Sequence, residues 1–180
     1  MRNPFRIGTV FYLRPLESDD LPVLTDWTTQ SAIRITLDLF YRPCDQSAAE
    51  LFLERTKSDA HDIALGIITQ ETDSLIGFIG LNRIDQENSQ IQLGLFLGDQ
   101  KADGKRCLAE AVGLMKSYVF ETLTMNRVWL YVDAADAQTI SLLERQGFSR
   151  EATLRQDRYR NGRYYDTVVM GQVRGRTRGE

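Results

Sequence analysis

Apolar and polar positions along the chain fall into segments of two distinct periods. Short apolar or alternating runs mark strands at "TVFYLRPL" (Thr9–Leu16), which stops at a proline, and then at "DIALGIIT", "SLIGFIGLNRI" and "QIQLGLFLG". The last three follow one another across the short polar turns "QETD" and "DQENS", which predicts an antiparallel meander. Helical spacing begins at "SDDLPVLTDWTTQ", with Ser18 as a natural N-cap and acids in the first turn. It returns in "CDQSAAELFLERTK", where Asp45 or Ser47 offers the cap and Ala48, Leu51, Phe52 and Arg55 keep the spacing. From Ala102 to Glu121, Leu108, Ala111, Val112, Met115, Val119 and Phe120 form one broad apolar face of a long helix. "NRVWLYV" has the composition of a strand buried on both faces. "DAQTISLLERQGF" reads as a short helix opened by Asp136 and closed by Gly147. The last segment, "REATLRQDRYRNGRYYDTVVMGQV", reads as a hairpin turning at Asn161-Gly162. The order β-α-α-β-β-β-α-β-α-β-β predicts one α/β (α+β) domain over residues 1–173, with a mixed sheet of about seven strands and about four helices. Residues 174–180 read as a disordered basic tail.

Composition narrows the classes. The chain has 180 residues, 42% apolar and 26% charged, ordinary for a soluble globular protein with a full core. A net charge of -3 gives no general reason to expect nucleic acid, and "RGRTRG" reads as a frayed tail before an RNA-binding arm. No apolar run approaches the ~18 residues of a membrane span, and "MRNPFRIGTV" lacks a signal peptide's apolar stretch. The expected compartment is the cytosol. Cys44 and Cys107 are the only cysteines and His61 the only histidine, too few ligands for a structural zinc site or a disulfide framework. No metal is expected. A Cys-His nucleophile pair would have to use His61, which sits in a turn entering a strand.

Three segments together resemble a known family over about Phe11 to Val173: "YLRPLESDDLPVLTDW", "LIGFIGLNRI…IQLGLFLG" and "ISLLERQGFSREATLRQDRYRNGRYYD". The last is the most specific, with an "LLERQGF" helix end, a Glu and an "LR" soon after, then "NGRYYD" in a hairpin. The chain resembles a GNAT-superfamily N-acetyltransferase, in particular the branch that acetylates ribosomal-protein N-termini (the RimJ/RimL type). The resemblance implies acetyl-CoA held between two parallel strands that splay apart, here "QIQLGLFLG" and "NRVWLYV". Gly94 fits the bulge that opens the first strand, the alternative being a packing notch. Splaying would free the backbone of Leu95, Phe96 and Leu97 to pair with the peptide-like pantetheine arm.

The family's pyrophosphate loop reads Arg/Gln-x-x-Gly-x-Gly/Ala, with Glu-Ala following. Here the matching stretch is "GDQKADGKRCLAEAVGLM", Gly98–Met115. Anchoring on Glu110-Ala111 puts Asp103, Arg106 and Leu108 at the three named places, with Gly104, Lys105 and Cys107 between them. All three named places depart from the motif, and using Gly104 as the first Gly spoils the Glu-Ala spacing. An anion is held mainly by free N–H groups and the positive helix end, which any residue type supplies. With near-helical dihedrals over 104–108, Arg106 and Leu108 are tolerable if their side chains point outward, and Lys101, Lys105 and Arg106 add charge. The alternative is a solvated basic helix start with no ligand.

Attack of an amine on a thioester needs a neutral amine, a stabilised oxyanion and a proton for the leaving thiolate. At pH 7 an α-amine is about one-tenth neutral, whereas a lysine-type amine is neutral about once in 2,500. The resemblance aligns "DAQT" with the family's Asn-x-x-Ser, which makes Thr139 the candidate proton donor near the CoA sulfur and puts Asp136 in the Asn place. Glu151 matches the glutamate of "GF-x-x-E" and is the candidate base, with a plain surface carboxylate as the alternative. Gln92 stands where many relatives have a Glu, and an amide cannot act as a base. The acceptor pocket is expected to use Trp27, Phe40, Tyr41, Gln92 and Tyr164, each aromatic being equally a core candidate. The implied acceptor is a peptide or protein N-terminal α-amine or a small primary amine. A homodimer is compatible with this reading. A different acyl donor, or a GNAT-like binding or regulatory domain, remains open at this point.

Overall fold

The computed structural model describes residues 3–29, 46–58, 62–98, 102–160 and 162–175. Among them are eight strands: β1 (Arg6–Ile7), β2 (Phe11–Pro15), β3 (Ile63–Thr69), β4 (Leu75–Asp85), β5 (Gln90–Leu97), β6 (Arg127–Asp133), β7 (Ser149–Arg160) and β8 (Arg163–Val173). Their order across one mixed sheet is β1-β2-β3-β4-β5-β6-β8-β7. The described α-helices are α1 (Leu21–Thr29), α2 (Gln46–Ser58), α3 (Ala102–Ser117) and α4 (Ala137–Arg145). The α/β class and the element order are those the sequence predicts. The extra strand is β1, whose two residues pair with Leu13 and Tyr12 and are too few to show a period. None of the described helices is long and apolar enough to cross a membrane.

The chain forms two compact units, Met1–Asn82 with Gly94–Ala111, and Arg83–Leu93 with Val112–Glu180. In the first, Phe11, Tyr12 and Leu13 of β2 are fully buried, and β2 pairs antiparallel with β3, which pairs antiparallel with β4. The rings of Trp27, Phe96, Phe78 and Phe52 run in a chain with centroids 5.0, 4.9 and 5.2 Å apart, inside a core completed by Tyr12, Leu24 and Leu53. Among the described residues the buried charges are Arg14 and Asp20. Arg14 donates to both carboxylate oxygens of Asp20 at 2.7 and 2.8 Å, and both residues are buried. The Asp20 hydrogen bonds hold the Arg14 guanidinium even more firmly protonated than usual. The same carboxylate accepts the N–H of Glu17 at 2.8 Å, so the N-cap of the 3-10 turn Ser18–Asp20 that leads into α1 is Glu17 and not the predicted Ser18. Asp20 serves the buried cation and the helix start together, and that dual demand moves the cap one residue upstream.

In the second unit β8 pairs antiparallel with both β6 and β7. β6 corrects its prediction: Val128, Leu130 and Val132 are buried, while Trp129 is half-buried and Tyr131 exposed, so only one face is buried. The composition is that of a fully buried strand, but Trp129 and Tyr131 satisfy each other edge-on at 5.1 Å on the second face. α4 follows its sequence closely. Asp136 caps it by accepting the Thr139 N–H, and Gly147 ends it at φ +91°, a conformation that favours glycine. The long helix ends as α3 at Ser117 and continues as a π turn over Tyr118–Thr122, closed by Leu123 N–H to Tyr118 O at 3.0 Å.

Candidate active site

In the first unit the relevant backbone is the end of β5 and the start of α3. The parallel β5–β6 ladder has three pairs, Gln90–Arg127, Ile91–Val128 and Gln92–Trp129, and ends there. β5 nonetheless runs on to Leu97 and β6 to Asp133. Along the rest of β5 the side chain of Phe96 is buried, whereas Leu95 and Leu97 are half-buried. At Gly94 an added Cβ would lie 2.8 Å from the Asn82 side-chain nitrogen. The glycine thus makes room for Asn82, which is the packing-notch alternative.

α3 begins at Ala102, where its apolar pattern predicts, so the motif positions 103–108 lie inside the helix. In an α-helix the unpaired N–H groups belong to the first turn, here residues 102–104. Arg106 and Leu108 lie in the second turn, so their N–H groups are spent on intrahelical bonds and cannot serve as phosphate donors. Lys105 and Arg106 are exposed beside that turn. Cys107 and Leu108 are buried, at 1% and 7% exposure, so Leu108 does not point outward as the motif register asks. The helical period explains this, because Leu108 shares a face with buried Ala111, Val112 and Met115. Gly104 is buried in the first turn, and the side chain of Asp103 is outside the described residues.

In the second unit Asp136 Oδ1 accepts the Thr139 N–H at 3.0 Å. Thr139 is half-buried, and among the described residues its hydroxyl makes no hydrogen bond, including none back into its own helix. Glu151 is committed elsewhere. It sits where the β7–β8 register slips between Arg150 and Ala152, and both its oxygens accept from Arg127 at 2.5 Å. Its carboxylate crosses β8 over Gly171, where any Cβ would collide with it. The Arg127 hydrogen bonds hold the Glu151 pKa below its ordinary value, and those same bonds raise that of Arg127. A carboxylate so occupied makes a poor proton acceptor, and this geometry argues against Glu151 as the base. Arg127 itself carries no sequence signal, since nothing local links it to a residue two strands away.

Of the acceptor candidates, Trp27 lies in the first unit and Gln92 and Tyr164 in the second. Trp27 is a core residue, 6% exposed, with its ring tilted against that of Phe96. Tyr164 is 62% exposed, its ring 4.9 Å from that of Tyr159. Gln92 is half-buried in the last pair of the β5–β6 ladder. Phe40 and Tyr41 lie outside the described residues, as do Cys44, Asp45, His61, Lys101, Asn161 and the end of the basic tail.

The family described as an acetyltransferase (GNAT) domain matches residues 11–149. The Bacillus licheniformis protein named "Uncharacterized N-acetyltransferase p20" is 35% identical over 108 residues, which is 60% of each chain. The Bacillus subtilis protein named "Putative ribosomal N-acetyltransferase YdaF" is 27% identical over 175 residues, 93% of each chain. Among solved structures, spermidine N-acetyltransferase from Vibrio cholerae in complex with CoA and spermine superposes with a TM-score of 0.78 at 20% identity, covering 92% of this chain and 96% of that one.

Proposed function

The chain belongs to the GNAT family of acetyltransferases, and from that premise we propose that it moves an acetyl group from acetyl-CoA to the α-amine of a peptide or protein N-terminus. The observation that carries the donor reading is the end of the parallel ladder at Gln92–Trp129. Beyond it the backbone of Leu95, Phe96 and Leu97 can pair with the pantetheine arm where a strand would otherwise pair. The N–H groups of the first turn of α3 can take the pyrophosphate, with the exposed Lys105 and Arg106 adding charge. When bound, acetyl-CoA supplies the thioester carbonyl and the thiolate that leaves. By the family resemblance Thr139 is the candidate that gives a proton to the departing sulfur, and among the described residues its hydroxyl makes no hydrogen bond. Asp136 keeps that threonine in the first turn of α4 through its N–H.

The acceptor follows from the base. Glu151 is tied to Arg127, and Gln92 is an amide, so neither candidate position supplies a strong proton acceptor. An α-amine is about one-tenth neutral at pH 7 and needs little help, unlike an alkylamine. The name of the YdaF relative points the same way. The test is acetyl transfer to a peptide with a free N-terminus and blocked lysines, against spermidine at equal concentration. Faster turnover of the peptide is expected. Preference for spermidine would overturn the acceptor, and transfer from a longer acyl-CoA alone would overturn the donor.

A further inference from the structure

We infer that Trp27 is a positioning residue for the acyl donor: its indole fixes the end of β5 through Gly98 without touching the donor. The inference rests on the donor reading above. An added Cβ at Gly98 would fall inside the Trp27 ring, against Cε2, Cζ2 and Nε1. The backbone of residue 98 therefore lies directly on the indole, and only a glycine lets it. The indole is itself held. It is 6% exposed and tilted against Phe96 with centroids 5.0 Å apart.

The same segment is held from β4. The Gly98 N–H donates to Ile76 O at 2.9 Å, and a Cβ at Gly77 would run into the Phe96 carbonyl and approach the Leu97 Cα at 3.1 Å. Phe96–Gly98 is thus clamped between β4 and Trp27. α1, which carries Trp27, is fixed in turn by Asp20, whose carboxylate takes both Arg14 and the Glu17 N–H. This is the backbone proposed to pair with the pantetheine arm and to lead to the phosphate-binding turn. A side chain that sets its path sets donor affinity, although it belongs to the core and carries no group that reacts.

The test compares wild type, Gly98→Ala, and Gly98→Ala with Trp27→Leu, titrated with acetyl-CoA by calorimetry and assayed with donor varied. The added methyl in Gly98→Ala should weaken donor binding on the order of tenfold and raise the donor KM alike. kcat at saturating donor should stay within about threefold, because the reacting groups are untouched. Adding Trp27→Leu removes the ring atoms that meet the methyl and should restore most of the lost affinity. Emission of Trp27, read in a Trp129→Phe background, should shift in Gly98→Ala even without ligand. If that variant does not fold, Trp27→Phe replaces it, with a raised donor KM at unchanged kcat expected and an unchanged KM refuting the idea. The wild-type titration reports on the donor reading alone: no binding removes that reading and this inference with it. Wild-type binding together with an unaffected Gly98→Ala, or with a double variant as weak as the single one, overturns the role of Trp27 and leaves the donor reading standing.

Discussion

Thr139 and Glu151 are the two residues on which proton movement was expected to turn, and their surroundings separate them. Thr139 sits in the first turn of a capped helix with its hydroxyl unpaired among the described residues. Thr139→Val keeps the shape, removes the proton donor and should lower kcat by roughly 10², with donor affinity unchanged. Thr139→Ser should keep most of the activity, and an unchanged kcat in a folded Val variant rules the hydroxyl out. Glu151→Gln, by contrast, should leave kcat within about threefold; a loss of a hundredfold would reinstate it as the base. Its effect belongs to stability. The folded pKa of Glu151 lies below its ordinary value of 4.5. Its contribution is therefore present above that value and lost as pH falls through the folded one. Denaturation of Glu151→Gln against wild type should show a deficit near neutral pH that closes in strong acid. The Asp136 cap that holds Thr139 was legible because cap, threonine and helix lie within a few residues of each other. The role of Glu151 was not, because its partner Arg127 is reached only across β8, over a glycine at 171 that no local pattern connects to either.

At the scale of elements, α3 shows where pattern reading succeeds and where it stops. Its apolar face was visible, since Leu108, Ala111, Val112 and Met115 are buried, as is Val119 in the π turn that follows, while Phe120 is half-buried. Its first residue, Ala102, was legible too; what the pattern did not show is that the helix already has its second turn under way at the motif positions. That start decides which N–H groups are free, and it takes Arg106 and Leu108 out of the phosphate cradle despite their motif positions. Arg106→Ala preserves helix propensity and removes only an exposed side chain. It should leave CoA affinity within a few-fold by calorimetry. A loss of about 1.5–3 kcal/mol, the scale of a charged hydrogen bond, would instead make Arg106 a direct phosphate partner. The strand β6 taught the converse lesson. Its β-branched and aromatic composition fits two buried faces, yet an aromatic pair can satisfy itself half in water.

For the whole molecule, the order of elements was enough to reach the sheet, because short turns force neighbouring strands and the family's specific segments span nearly the full chain. The two-residue β1 was beyond it, being too short for a period; the parallel β5–β6 pair came from the resemblance, and only the place where its ladder ends was not legible. The residues proposed to bind the donor, Leu95–Leu97 and the first turn of α3, fall in a single compact unit. That unit also carries the aromatic core around Phe96 and the buried Arg14–Asp20 pair. A ligand that binds there only in the folded state must stabilise the fold by mass action. At 100 times its Kd the gain is about 2.7 kcal/mol, which for a chain of this length raises Tm by roughly 5–10 °C. Acetyl-CoA should produce that rise, and hydrogen exchange should slow first along 94–98 and 102–104, where the backbone gains partners. Pantetheine lacking the pyrophosphate should slow exchange at 94–98 and leave the start of α3 as it was, since only the phosphates reach those N–H groups. Protection of α3 by pantetheine alone would break the division between the two segments. No rise in Tm with millimolar acetyl-CoA would remove acetyl-CoA as the donor.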